Sequence, residues 1–297
     1  MIALLIATPA GGRAPPPPPD LGAVTLDRAD PAVDAMVAGM PVRLAVTLDS
    51  GLYLAAVTAA RLPLDWRKGE PEQVGRVRID HRQAAGAVTI AGATVPMRIQ
   101  TQDEPCCDGH DGAISVADLP WSTVRIGEDG GLAERRFPLE LDNQSGLSVA
   151  WRVNGHVIHV VLAPSAPETV ATASAAAILA QAYGGHLEDA VRAVPVAYGV
   201  ARTVRDMRLD RPFDLLGFRL ARVAVRIGDF AGDSSLPAPA MPDARGDEIE
   251  VRHKPLPPQF RWAAITIGRD LLGRCPAITF RRAGDDGNPA IGLACAG

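Results

Sequence analysis

The chain has 297 residues, a formal net charge of −4 and 47% hydrophobic residues. This length allows two modest lobes that each bury a core. The nearly balanced charge, without a run of basic residues, argues against a nucleic-acid partner. No apolar run reaches the roughly 18 residues that a membrane-spanning helix needs, so no transmembrane segment is expected.

Residues 1–20 are interpreted as a signal segment followed by a proline-rich spacer. Residues 1–10 are apolar and end in small side chains, as in the core of a signal peptide, although the usual positive n-region is missing. The five consecutive prolines at residues 15–19 form a stiff extended spacer. We expect export to the periplasm or the medium. A cytoplasmic location stays open if the segment is not a signal.

The rest of the chain is dominated by short alternating apolar and polar runs, which predict strands. Residues 74–79 and 223–227 are examples. Helical signal is sparse: residues 172–182 predict an alanine-rich helix, and residues 187–192 a shorter second one. The sequence therefore predicts an all-β protein with a few short helices.

The two halves of the chain carry similar patterns in the same order. Three stretches of the first half recur in the second: residues 42–51 as 156–165, residues 90–99 as 216–227, and residues 111–119 as 264–272. In the first pair, Leu44 and Val46 are in phase with Ile158 and Val160. The repeat predicts an N-terminal lobe of residues 21–142 and a C-terminal lobe of residues 143–297.

This order of elements resembles the pepsin-like and retropepsin-like aspartic proteases. Their signature is a strand ending in Asp-Ser/Thr-Gly, a hairpin region, and then two apolar residues and a glycine before a short helix. Residues 48–51 match the first element and residues 267–272 match the last. The resemblance covers residues 41–126 and 154–280. It implies a double β-barrel of two lobes with a cleft between them.

In that family, two carboxylates about 3 Å apart share one proton, so that one activates water while the other protonates the carbonyl. The resemblance makes Asp49 one catalytic aspartate, supported by Ser50 and Gly51. Its partner position is Ala163, whose methyl group transfers no proton. The partner loop is thus degenerate, with the residues Ala163, Pro164 and Ser165.

Other positions that support the two loops depart from the family pattern in the first lobe. Ser115 follows Ile114 where the family has a glycine, whereas the second lobe keeps the pattern as Ile267 and Gly268. Leu52 replaces the small residue usual after the motif. The first lobe keeps the aspartate, and the second lobe keeps the glycine.

Three functions are compatible with half a dyad. The preferred hypothesis is an aspartic-peptidase-like protein with impaired proteolysis that binds peptide or protein in the inter-lobe cleft. An active endopeptidase would need a second carboxylate for Asp49, from Asp214, Asp229 or a second chain. A structural envelope protein with a filled cleft is the third hypothesis. The oligomeric state stays open.

The four cysteines suggest a disulfide and argue against a metal site. Cys275 and Cys295 flank a predicted hairpin, so they could form a disulfide across it. Cys106 and Cys107 are compatible with free thiols, a vicinal disulfide or a bridge elsewhere. Residues 106–111 contain metal-binding residue types but lack a second, spaced ligand pair. No metal and no cofactor are expected.

Overall fold

The computed structural model of the chain describes residues 20–48, 51–74, 77–103, 106–142, 146–227, 262–284 and 287–296. Within these ranges strands dominate, and the α-helices are Ala56–Ala59 (α1), Ala173–Tyr183 (α2) and Arg269–Leu272 (α3). Single turns of 3-10 helix lie at Cys107–Gly109 and Val116–Asp118. The predicted all-β class is confirmed. The predicted signal segment and spacer lie outside the described residues, except for Asp20.

Six strands of the first half form a closed barrel. In spatial order they are β2 (Ala32–Val37), β3 (Met40–Thr47), β10 (Gly112–Ser115), β4 (Leu52–Ala55), β9 (Ala93–Gln102) and β8 (His81–Ile90). The barrel closes because β8 also pairs with β2. Alternate side chains point inward, so that Leu44 on β3 and Ile114 on β10 are fully buried. The short β5 (Arg67–Lys68) also pairs with β8, and β6 (Glu72–Val74) pairs with β7 (Val77–Ile79).

The second half forms an eight-stranded sheet. In spatial order its strands are β13 (Glu140–Asp142), β14 (Gly146–Val153), β15 (His156–Leu162), β20 (Ala264–Ile267), β16 (Val170–Ala171), β19 (Phe218–Arg226), β18 (Val200–Leu215) and β17 (Gly185–Ala197). Helix α2 follows β16 as α1 follows β4. The helix begins after Thr172, whose hydroxyl accepts a hydrogen bond from the Ala175 amide, and ends before Gly184 at φ 68°.

The two halves repeat one arrangement of six strands. The first has the order β2-β3-β10-β4-β9-β8 and the second the order β14-β15-β20-β16-β19-β18. Each of the five neighbouring pairs has the same parallel or antiparallel sense in both halves. Two lobes built on one plan are therefore present, in agreement with the repeats in the sequence.

A third sheet contains strands from both halves. Its order is β1 (Ala23–Leu26), β11 (Thr123–Gly127), β21 (Ala277–Arg281), β22 (Ala290–Ala294) and β12 (Glu134–Pro138). The two lobes are therefore joined by backbone hydrogen bonds between β11 and β21. Strands β12 and β13, which precede the predicted lobe boundary at residue 142, pair with β22 and β14 of the second half.

The short helix predicted at residues 187–192 is wrong, because these residues belong to strand β17. They pair with β18, with a register shift between Leu187 and Val191. A stretch of six residues fits the apolar spacing of a helix as well as that of a strand. Pairing with β18 makes it a strand.

Two disulfides are formed. One joins Cys275 to Cys295 at the base of the β21–β22 hairpin, and the other joins the adjacent Cys106 and Cys107. None of the helices in the described ranges has the length and hydropathy needed to cross a bilayer.

Candidate functional site

The first loop connects β3 to β4. Asp49 and Ser50 lie outside the described residues, so the structure places only Gly51 of the predicted catalytic motif. Gly51 has a φ of 89°, a conformation that favours glycine. Its carbonyl accepts a hydrogen bond from the Ser115 amide at 2.9 Å. Ser115 thus contacts the first loop through its backbone.

Asp118 is a carboxyl group beside this loop that the sequence analysis missed. It follows β10, and its carboxylate accepts a hydrogen bond from the Gly51 amide. Burial raises the pKa of Asp118, and the Gly51 amide and the charge of Arg282 only partly oppose that effect. The signal in the sequence was an acid three residues after a buried strand.

The raised pKa of Asp118 makes stability depend on pH. Stabilisation by the protonated carboxyl is complete below the ordinary pKa of 3.8 and is lost as the pH rises through the higher native pKa. We expect Asp118→Asn to become more stable relative to wild type as the pH rises across this window. Urea unfolding at a series of pH values measures it. Asp103→Asn is the control, because that side chain is 93% exposed. A constant difference between Asp118→Asn and wild type would contradict the expectation.

The second loop, between β15 and β16, is longer than the first. Ile114 pairs with Val46 and Leu52, whereas its counterpart Ile265 pairs with residues 160 and 171. The paired residues are six positions apart in the first lobe and eleven apart in the second, so the second loop contains five additional residues.

The position that corresponds to Asp49 depends on the strand from which residues are counted. Counting forward from the strand before the loop, Asp49 corresponds to Ala163, as in the comparison of the two sequences. Counting back from the following strand, it corresponds to Glu168.

Strand register also changes one assignment made from the sequence. Ser115 pairs with Thr47, and Thr266 pairs with the corresponding Val161, so Ser115 corresponds to Thr266. The counterpart of Gly268 is therefore Ala117, and matching Ser115 with Gly268 was wrong by two residues. The sequence alone aligns two short apolar patterns, and only a pair of hydrogen-bonded strands fixes their register.

Gly268 lies directly against the second loop. A Cβ atom at this position would come within 2.4 Å of the Glu168 backbone carbonyl. The Gly268 amide donates to the Thr169 hydroxyl at 3.1 Å, and that hydroxyl donates to Asp270 at 2.8 Å. The Ala163 amide donates to the Ile267 carbonyl at 2.9 Å. Close backbone packing and these hydrogen bonds fix the second loop on α3.

The carboxylate of Glu168 is held by an arginine. Both of its oxygens accept hydrogen bonds from the Arg192 guanidinium on β17. Arg192 also donates to Asp206 on β18 at 2.9 Å, and Arg222 donates to Asp206 as well. The hydrogen bond to Glu168 raises the pKa of Arg192. Burial raises the pKa of Asp206, but the two arginines together hold it below its ordinary value.

A small pocket adjoins this ion-pair network. It lies between the second loop and strand β17, and its lining includes Ala166, Glu168, Pro195, Val196 and Trp262. The bound carboxylate of Glu168 is therefore part of a concave surface in the second lobe.

The β17–β18 hairpin crosses from the second lobe to the first. At its tip, the Tyr198 hydroxyl donates to Glu72 at 2.6 Å. The Tyr198 ring lies 5.7 Å from His81 and 6.2 Å from Tyr53, measured between ring centroids. Tyr53 is two residues beyond Gly51. The hairpin tip therefore contacts the first lobe next to the first loop.

The other acids and possible metal ligands named from the sequence either have a partner nearby in the chain or lie outside the described residues. Asp214 accepts a hydrogen bond from the Gly217 amide at 3.0 Å in the β18–β19 turn, and Asp229 lies outside the described residues. The disulfide occupies both Cys106 and Cys107. Among the described residues, no group of three or more histidines, cysteines or acids is arranged to hold a metal ion.

No protein-family model and no curated protein matches the chain. Part of the chain is similar to a solved retroviral protease, "EIAV protease complexed with the inhibitor HBY-793". The similarity has a TM-score of 0.22 and 15% sequence identity, and it covers 29% of this chain and 81% of that chain.

Proposed function

We propose that the chain is an aspartic-peptidase-like protein that binds peptide or protein segments between its lobes and leaves them uncleaved. The observation that carries the proposal is the binding of Glu168 by Arg192. Proteolysis of this kind needs two carboxyl groups that exchange one proton. The second loop would have to supply one of them.

Neither position of the second loop that corresponds to Asp49 offers such a group. Ala163 has no carboxyl, and both oxygens of Glu168 accept hydrogen bonds from a guanidinium that stays protonated in proteins. The two-point contact holds this carboxylate on the guanidinium, so its direction is set by Arg192 on β17. Asp49 alone is then a general base without an acid partner, which removes much of the rate enhancement.

The arrangement of the lobes supports binding by a cleft. Both lobes are built on one plan and are joined by the sheet that contains β11 and β21, so their loops lie on a common frame. Strand β17 is at the edge of its sheet among the described strands, and it carries Arg192. An edge strand presents backbone groups to which an extended peptide can add.

A peptide-selection experiment tests the proposal. The full chain is incubated at neutral pH with a randomised peptide mixture, and bound peptides are identified by mass spectrometry after gel filtration. We expect a defined subset to be retained intact, because an edge strand and a fixed loop select extended sequences. Asp103→Asn serves as a surface control that retains the same subset. Failure of the wild-type chain to enrich any peptide would contradict the proposal.

Asp118 favours a second candidate, an active endopeptidase that uses Asp49. A buried carboxyl with a raised pKa beside Gly51 has the property required of the proton-holding partner. This candidate predicts peptide cleavage at acid pH that is lost in both Asp49→Asn and Asp118→Asn. Cleavage that survives Asp118→Asn would eliminate it.

A further inference from the structure

The tip of the β17–β18 hairpin has an unusual residue for its conformation. Tyr198 and Gly199 form a two-residue turn with φ values of 50° and 69°, which is the type I′ geometry. The other described hairpin turns of this kind have alanine, asparagine or leucine before the glycine. A bulky residue at positive φ is disfavoured, so contacts of its side chain must hold it there.

The described residues that contact the Tyr198 side chain lie in the first lobe. The Tyr198 ring packs near Tyr53 and edge-on to His81, and its hydroxyl is hydrogen-bonded to Glu72 and Tyr53. Burial raises the pKa of Tyr198, so its hydroxyl remains a donor at neutral pH. Tyr53, His81 and Glu72 therefore form a receiving site for a phenol, which we call the tyrosine subsite.

The tyrosine subsite has hydrogen-bonding capacity that Tyr198 leaves unused. His81 is only 4% exposed, and its Nε2 lies 3.4 Å from the Glu72 carboxylate, but neither ring nitrogen has hydrogen-bond geometry with a described residue. Gln102 lies directly opposite on β9, is 2% exposed, and also has an amide without such a partner. Buried polar groups of native proteins nearly always have partners. A ligand larger than one phenol ring would satisfy them.

We propose that the tyrosine subsite binds a tyrosine side chain of a peptide ligand, and that Tyr198 occupies it in the unliganded chain. This inference rests on the proposed function, because it identifies the ligand side chain that the cleft selects. The carboxylate of Glu72 recognises the hydroxyl, and the Tyr53 and His81 rings recognise the aromatic face.

The phenol distinguishes this ligand from other aromatic side chains. A phenylalanine would fill the same space but leave the Glu72 carboxylate without its donor. Since a hydrogen bond to a charged group contributes more than a neutral one, we expect about tenfold weaker binding of phenylalanine. Competition from Tyr198 reduces the apparent affinity of wild type for either ligand.

The test uses Tyr198→Asn and the probe N-acetyl-L-tyrosinamide with the full chain. Asparagine suits the type I′ turn, so the variant vacates the subsite while keeping the hairpin. Binding is measured by titration calorimetry or by NMR line broadening. We expect the probe to bind Tyr198→Asn about tenfold more tightly than wild type, and N-acetyl-L-phenylalaninamide to bind the variant about tenfold less tightly than the tyrosine probe.

Two further variants make the result specific. Adding Glu72→Gln to Tyr198→Asn is expected to remove the preference for tyrosine over phenylalanine. Asn154→Ala changes the same kind of turn residue in the β14–β15 hairpin and is expected to bind as wild type does. If folding fails in Tyr198→Asn, Tyr198→Phe replaces it, because it removes only the hydroxyl that competes for Glu72.

Two outcomes would overturn the inference. One is that the probe fails to bind the vacated subsite, which would mean that Tyr198 only stabilises the contact between the lobes. The other is that tyrosine and phenylalanine probes bind equally. Selection of intact peptides without a preference for tyrosine would overturn the inference and leave the proposed function standing. Probe binding by Tyr198→Asn without any peptide selection would contradict the proposed function, and with it the assignment of the subsite to a peptide ligand.

Discussion

Replacing Phe280 by alanine is expected to lower the free energy of unfolding by about 3–5 kcal/mol. Phe280 lies on β21 and is 2% exposed. It pairs with Val124 on β11 of the first half and with Ile291 on β22 of the second. Truncation leaves a cavity in the sheet that the two lobes share. Because that sheet joins the lobes, we also expect both lobes to unfold in a single transition.

Urea unfolding followed by tryptophan fluorescence and by far-ultraviolet circular dichroism measures both effects. Val191→Ala is the matched control, because this apolar side chain is 59% exposed on β17. It should change the free energy of unfolding by less than about 0.5 kcal/mol. Truncation of a buried phenylalanine normally lowers the free energy of unfolding by about 3–5 kcal/mol. A decrease below about 1 kcal/mol for Phe280→Ala would therefore contradict the packing of the shared sheet. Separate transitions for the two probes would contradict its coupling of the lobes.

Replacing Gly268 by alanine is expected to destabilise the second lobe by about 1–3 kcal/mol. The added methyl would lie 2.4 Å from the Glu168 backbone carbonyl, so the second loop or α3 must move. This neighbour is backbone rather than a flexible side chain, and it cannot give way cheaply. Thermal and urea unfolding measure the loss.

Ala117→Gly is the matched control for Gly268→Ala, since strand register makes these residues counterparts. The first loop has five fewer residues, and a Cβ atom is already accommodated at Ala117. We expect this change to cost less than about 1 kcal/mol, from backbone entropy alone. Equal losses in the two variants would show that the glycine does not depend on the longer second loop.

The fold was predictable because its signal is distributed over many residues. Strands β3 and β15 alternate apolar side chains in the same phase, and Thr172 with Gly184 marks the ends of α2. The repeated order of strands follows from the repeated order of these patterns. The short stretch at residues 187–192 failed because six residues fit a helix or a strand, and pairing with β18 decided it.

The candidate site was less predictable, because loops have no periodicity to align. The alternating apolar pattern ends at Leu162, so the sequence does not show where the second loop ends. The pairing of Ile265 with Ala171 shows that this loop is longer than the first. The same register corrects the counterpart of Gly268. The contacts of Glu168 with Arg192 and of Tyr198 with Glu72 join residues 24 and 126 positions apart. No spacing rule in a single sequence connects such residues.

The interpretation of Asp49 is accordingly narrower than its motif suggests. The sequence of the first loop resembles the Asp-Ser-Gly motif of aspartic peptidases, whereas the second loop has a methyl group at Ala163 and an arginine-bound carboxylate at Glu168. The proposed function therefore treats Asp49 as a carboxylate without a proton-exchanging partner.

Peptide cleavage at acid pH tests this conclusion most directly. Wild type and Asp49→Asn are incubated with a randomised peptide mixture at several pH values from acid to neutral, and new termini are identified by mass spectrometry. We expect no cleavage that depends on Asp49 at any pH. Cleavage by wild type that disappears in Asp49→Asn and is blocked by a statine-type transition-state mimic would contradict it.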